Sequence, residues 1–256
     1  MHPDSRPQLP AAFELICVGE VESLRESVSD LARDGAVEGT VVMAENQTNA
    51  LGCLDKAWHG YTENLHAAIV LQPEFDPVQD QEMLYVAMTS LGNAIAEHVS
   101  PMTALGYSWP NDVNIAGNKV GSVWLDHGQS EAGRWLTVTC SVNVRHSPDD
   151  FSIPAMSILE AEGTTDLTAN ILLESWTRQF VRLINLWSDQ GFGKIFGLWQ
   201  VRSESNGKKI TLPSDDGLVA AESVGITEQG DIIVILPDKK QITVSTQTVM
   251  NSKSES

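Results

Sequence analysis

A chain of 256 residues with 42% hydrophobic and 20% charged residues can bury one full core and carry a small second unit, and it contains no apolar run long enough to span a bilayer. Thirty-four acidic against sixteen basic residues give a formal charge of -18, a field that repels nucleic acid and anionic membranes and argues against either as a partner. Met1 to Pro10 holds three prolines and mixed charges without an apolar segment, so no secretory or transit signal is visible and the expected location is cytoplasmic.

Val21, Leu24, Val28 and Leu31 recur at helical spacing between Glu20 and Asp34, and Gly35 follows as a stop, which predicts a first amphipathic helix. Thr40 to Ala44 and Leu65 to Leu71 read as buried strands, separated by a long polar loop. Gln81 to Val99 places Leu84, Met88, Leu91 and Ile95 on one helical face, with core packing as the expected role. A strand-hairpin-strand unit runs from about Tyr107 to Leu125 with Gly117-Asn118 as its turn, and Trp135 to Val144 is a further β run. Leu167 to Trp187 marks a long helix, capped by Thr164 or Thr165 and ending before Gly191.

From about Gly197 the pattern changes to short β segments, Lys209–Leu212, Leu218–Gly225, Ile232–Leu236 and Gln241–Val244, separated by turns at a spacing that suits a small barrel. The expected architecture is α+β, a mostly antiparallel sheet flanked by helices over residues 11–195, followed by a small barrel over 196–250. Cys17, Cys53 and Cys140 have no metal-ligand or CxxC spacing, so neither a zinc site nor a disulfide framework is expected. Cys17 and Cys140 read as small buried hydrophobes.

The stretch richest in chemistry is Ser108-Trp109-Pro110-Asn111-Asp112, followed seven residues later by Lys119-Val120-Gly121. With Thr40 to Thr48, Ser141 to Val144 and Ser157 to Gly163, it resembles the biotin protein ligases within the wider biotin/lipoate ligase family, and the resemblance runs from about Phe13 to Met250. It implies a catalytic α+β domain with an SH3-like carboxy-terminal barrel. It also implies ATP-dependent activation of biotin or a related acid as an acyl-adenylate, with magnesium, and transfer to the lysine of a biotinyl or lipoyl carrier domain. Some ligases of this kind carry an amino-terminal DNA-binding domain, for which the few residues before the first element leave no room. Others pair through exposed sheet edges, so a homodimer is an assembly to test.

By resemblance, Lys119 matches the lysine that contacts the acyl carboxylate and the adenylate phosphate; without the motif it would read as a solvated lysine after a turn. Gln47 would hydrogen-bond the acid's head group. Trp58 would lie against the nucleotide base, or else pack in the core. Asn111 and Asp112 either orient Lys119 and hold magnesium beside phosphates, or stabilise the turn as Asx residues. Asn143 would close a polar contact beneath the pocket.

The same comparison shows departures. The family's GRGRRGR loop reads Asn49-Ala50-Leu51-Gly52-Cys53-Leu54-Asp55-Lys56-Ala57 here, keeping Gly52 and one basic residue, Lys56. Ser108 stands where KWPND has its lysine, and Thr139 and Ser141 replace glycines that let a ring approach the backbone. Each charged hydrogen bond to phosphate contributes about 1.5–3 kcal/mol, so these losses could remove several powers of ten in rate. A catalytically degenerate acid-binding protein is therefore the alternative function. A cysteine-dependent acyltransferase using Cys53 is the second alternative.

Overall fold

The computed structural model describes residues 6–52, 57–148, 154–214 and 217–251. Its strands are β1 (Glu14–Val21), β2 (Thr40–Gln47), β3 (Ala50–Leu51), β4 (Ala57–Trp58), β5 (Leu65–Leu71), β6 (Leu105–Ser108), β7 (Asp112–Ile115), β8 (Asn118–Ser130), β9 (Gly133–Val142), β10 (Lys209–Ser214), β11 (Gly217–Ile226), β12 (Ile232–Ile235) and β13 (Gln241–Val244). Its α-helices are α1 (Leu24–Arg33), α2 (Asp80–Ala96), α3 (Ile158–Glu162), α4 (Ala169–Gln190), α5 (Phe192–Gln200) and α6 (Thr246–Asn251). Seven strands form one sheet in the order β1-β2-β5-β9-β8-β7-β6, antiparallel except for the β1–β2 pair. This is the expected α+β layout.

Strand alternation divides the sheet into two faces. One face, with Val41, Ala67, Ile69, Val138 and Cys140, packs against α2, α4 and α5. Helix α2 lies inside this layer and buries Met83 to Leu91 almost without interruption, more than the single stripe read from its sequence. The opposite face, with Val42, Ala44, Ala68 and Val70, is covered by Leu24, Val28 and Ala32 of α1. Ser23 caps α1 by accepting a hydrogen bond from the Glu26 amide.

Several expectations shift. The segment before Leu24 is strand β1 rather than the first turn of a helix, and it escaped notice because Leu15 is its one buried residue. A strand at the edge of the sheet has little apolar alternation to read. For the same reason Cys17 is exposed, whereas Cys140 is buried and its thiol pKa is pushed upward by loss of solvation. The β7–β8 turn is Ala116-Gly117, one residue earlier than expected, with φ of 49° and 77°. Positive φ at both positions gives the twist that suits a two-residue hairpin. Thr168, not Thr164 or Thr165, caps α4. Helix α5 runs through the boundary placed at residue 196 and packs on α2 and α4.

The remaining strands form an antiparallel sheet, β10-β11-β12-β13, consistent with a small SH3-like unit. Leu212, Ala221, Ile232 and Val234 pack there around Trp109, a residue of the first unit.

Candidate functional site

Five adjacent strands each place one polar residue in a single line across the sheet face covered by α1. In register, His66 of β5 stands opposite Ser141 of β9, Ser141 opposite Ser122 of β8, Ser122 opposite Asp112 of β7, and Asp112 opposite Ser108 of β6. Residues directly opposite one another share a face, so the row is continuous. Three of its members, Asp112, Ser108 and Ser141, were anticipated from sequence.

Lys119 joins this row from the start of β8, where a bulge between Val113 and Asn114 shifts the register and re-aims the side chain. Its Nζ lies 2.8 Å from Asp112 Oδ1, and the two side chains are 18% and 22% exposed. The same carboxylate oxygen accepts the Ser122 hydroxyl at 2.5 Å. On the other side, Nζ sits 5.2 Å from the centre of the Trp58 ring, a distance at which the ring's negative face attracts a cation. The amine is therefore enclosed between a carboxylate and an indole rather than directed into bulk solvent.

Trp58 meets Trp124 edge-to-face with centroids 5.7 Å apart. The Arg25 guanidinium lies 5.8 Å from the Trp124 ring and pairs with Asp126 at 2.7 Å. Both indole N–H groups and the buried hydroxyls of Thr137 and Thr139 have no hydrogen-bond partner. Thr139 stands opposite Trp124 in the β8–β9 register, so its side chain occupies the floor where the related pattern has glycine.

At the other end of the row, Gln47 is buried and fully engaged. Its carbonyl oxygen accepts the Leu24 amide at 2.9 Å, and its amide nitrogen lies 3.0 Å from His66 Nδ1 and 3.1 Å from Ser141 Oγ. His66 Nε2 faces the Tyr61 carbonyl at 3.3 Å, which assigns the proton to Nε2 and leaves Nδ1 as acceptor. Burial lowers the His66 pKa to about 4, against the smaller opposing effect of the Tyr61 carbonyl. The imidazole is neutral at pH 7.

Loop closure brings Trp58 here. A Cβ on Gly60 would lie 2.3 Å from the Gln47 carbonyl oxygen, so the absence of a side chain lets residues 57–60 rest on the end of β2. A cavity of about 280 Å³ lies between residues 46–50 and 57–60, with Gln47 and Trp58 in its wall. A larger cavity of about 490 Å³ opens beside Cys17, Met43, Arg145 and the start of α4, and none of the residues anticipated from sequence lines it. The chemistry of the row, not cavity size, selects the candidate site.

The other anticipated residues divide clearly. Asn111 is buried, and its Nδ2 donates to the Val123 carbonyl at 2.9 Å, a turn-holding role. Asn143 donates to the Met156 carbonyl and accepts from Asn64, both at 3.4 Å, closing the contact beneath the sheet. Ser108 Oγ accepts from Asn114 at 2.6 Å. Gly52 is half-buried, and Cys53 and Lys56 lie outside the described residues. No group of three His, Cys, Asp or Glu side chains able to hold a metal ion occurs among the described residues. Asp112 Oδ1 already meets Lys119 and Ser122. His66, Ser122 and Arg25 were missed. His66 had left a signal, as the single ionisable residue in the apolar run Leu65–Leu71.

Comparison with known proteins agrees with this architecture. The family model described as "Biotin/lipoate A/B protein ligase family" matches residues 22–201, and the chain belongs to that family. The bifunctional ligase/repressor BirA of Bacillus subtilis is 24% identical over 220 residues, covering 84% of this chain and 67% of that protein. The biotin--[acetyl-CoA-carboxylase] ligase of Paracoccus denitrificans is 24% identical over 207 residues, covering 78% and 86%. Among solved structures, a biotin protein ligase-like protein of unknown function from Silicibacter sp. superposes with a TM-score of 0.76 at 23% identity, covering 96% of this chain and 100% of that one. The biotin protein ligase of Aquifex aeolicus, in complex with biotin and ATP, superposes with a TM-score of 0.71 at 22% identity, covering 90% and 94%. No helix among the described residues is long and apolar enough to cross a membrane.

Proposed function

We propose that this protein binds biotin or a related carboxylic acid over the polar row and, with ATP, attaches it to a carrier-protein lysine. The observation that carries the proposal is the Lys119 amine, held half-buried between Asp112 and Trp58 beside the polar row across the sheet face. In the reaction, the acid's carboxylate attacks the α-phosphorus of ATP and pyrophosphate leaves. The carrier lysine amine then attacks the acyl carbon and AMP departs. Lys119 would face the negative charge shared by carboxylate and phosphate, where a fixed cation in a water-poor site is most effective. Trp58 would offer its ring to the nucleotide base.

Binding without turnover is the second reading, favoured by one observation: the loop Asn49 to Ala57 has a single basic residue, Lys56, to meet the phosphates of ATP. The strongly acidic composition also opposes the approach of ATP. In either reading a head group at Gln47 would have to displace a hydrogen bond, since that side chain is already engaged within the protein.

Pyrophosphate release and thermal stabilisation, measured with biotin and ATP together and singly, separate the two. Release that needs both substrates supports the ligase. A biotin-dependent rise in Tm without release supports binding alone. Neither response, with lipoate and octanoate equally inert, would overturn the proposal.

A further inference from the structure

Three donors converge on one backbone oxygen where the carboxy-terminal sheet meets the first unit. The Gly230 carbonyl accepts from Tyr85 Oη at 2.5 Å, from Trp109 Nε1 at 3.2 Å and from Thr246 Oγ1 at 2.9 Å. These donors come from α2, from the turn before β7 and from α6. Gly230 must lack a side chain, because a Cβ would lie 2.5 Å from the Tyr85 ring. Loss of solvation pushes the Tyr85 phenol pKa upward, so its hydroxyl remains a donor.

Trp109 is held most firmly. Its indole N–H also reaches Thr246 Oγ1 at 2.7 Å, its backbone N–H donates to Ser205 Oγ at 2.9 Å, and its ring packs among Leu212, Ile232 and Val234. Two residues before it, Tyr107 exchanges backbone bonds with Arg202 and Glu204. Two residues after it, beyond Pro110, Asn111 bonds Val123 twice, by its side chain at 2.9 Å and by its carbonyl at 3.0 Å. The next residue is Asp112. Trp109 and Asn111, both held by hydrogen bonds, thus lie on either side of Pro110 in the turn that leads to the carboxylate holding Lys119.

We propose that the carboxy-terminal sheet positions the Lys119 amine, with Thr246 and Gly230 fixing Trp109 and Trp109 fixing the turn that carries Asp112. Trp109 and Thr246 are thus positioning residues that touch no ligand. The functional importance of this coupling rests on the reading of Lys119 as the ligand-facing cation, but the coupling can be measured without any ligand.

The test is limited acetylation of the full chain by acetic anhydride, followed by mass mapping of Lys119, with the exposed Lys194 and Lys239 as controls. In the native protein Lys119 should label slowly. Thr246→Val should raise its rate by at least about fivefold, the scale of one lost buried hydrogen bond, with the controls unchanged. Thr246→Ser, which keeps the hydroxyl, should restore slow labelling. Ser205→Ala supplies an independent loosening of Trp109 if Thr246→Val folds poorly. Lys119 labelling that stays at the native rate in both Thr246→Val and Ser205→Ala overturns the proposal. Failure of biotin to stabilise the native protein would instead remove the ligand reading and leave the labelling result standing.

Discussion

The Lys119 amine and the Trp58 ring, 5.2 Å apart, come from two different sheets and are joined by nothing in the local sequence. Lys119 arrives on a bulged strand and Trp58 on a loop that rests on Gln47. Their meeting, with Asp112 on the far side of the amine, defines the candidate site.

Lys119→Ala should therefore abolish the biotin-dependent rise in Tm while lowering stability by no more than about 1 kcal/mol, since the Asp112 pair is partly exposed. Isothermal titration beside urea unfolding measures both. Unchanged affinity in this variant would remove the main site assignment.

Gly60→Ala should move the Trp58 segment away from β2. The added methyl would meet backbone atoms of Gln47 at 2.3 and 2.6 Å, which cannot yield as a flexible side chain would, and a cost of about 1–3 kcal/mol is expected. A native denaturation midpoint in Gly60→Ala would mean that the loop is not seated as described.

His66 predicts an acid-sensitive site. Its folded pKa of about 4 lies below the ordinary 6.5 because the buried ring resists charging, so between these values the unfolded chain binds the extra proton. The neutral ring's contribution is intact above pH 6.5 and is lost as pH falls toward 4, by up to roughly 3 kcal/mol. Urea unfolding at a series of pH values should show this slope in the native protein and a shallower one in His66→Gln.

The two described cysteines should differ in reactivity. Cys17 is exposed and Cys140 is buried with its thiol pKa raised, so a disulfide reagent should modify Cys17 in the folded protein and Cys140 only on unfolding. Equal native rates would contradict the placement of β1 at an exposed edge.

Restoring arginine at Leu51 and Cys53 should increase adenylate formation, read as biotin-dependent exchange of pyrophosphate into ATP, because guanidinium forks stabilise phosphate charge. An absence of gain would indicate that Thr139 and the engaged Gln47 limit the pocket instead.

The sequence by itself determined the family, the α+β layers and the strand-turn-strand that carries Asp112 and Lys119. These depend on local patterns: alternating apolar residues for β5 and β9, helical spacing for α1 and α4, and a contiguous motif for the turn. Strand β1 was lost because an edge strand buries one residue and so leaves no alternation. Tertiary structure alone decided that His66, Ser141, Ser122, Asp112 and Ser108 form one line, since strand register is set by pairing between segments far apart in the chain. It also decided that the motif's tryptophan serves the carboxy-terminal sheet. A single residue type gives no sign of which core will enclose it, because burial is a property of what folds around the ring and not of the ring itself.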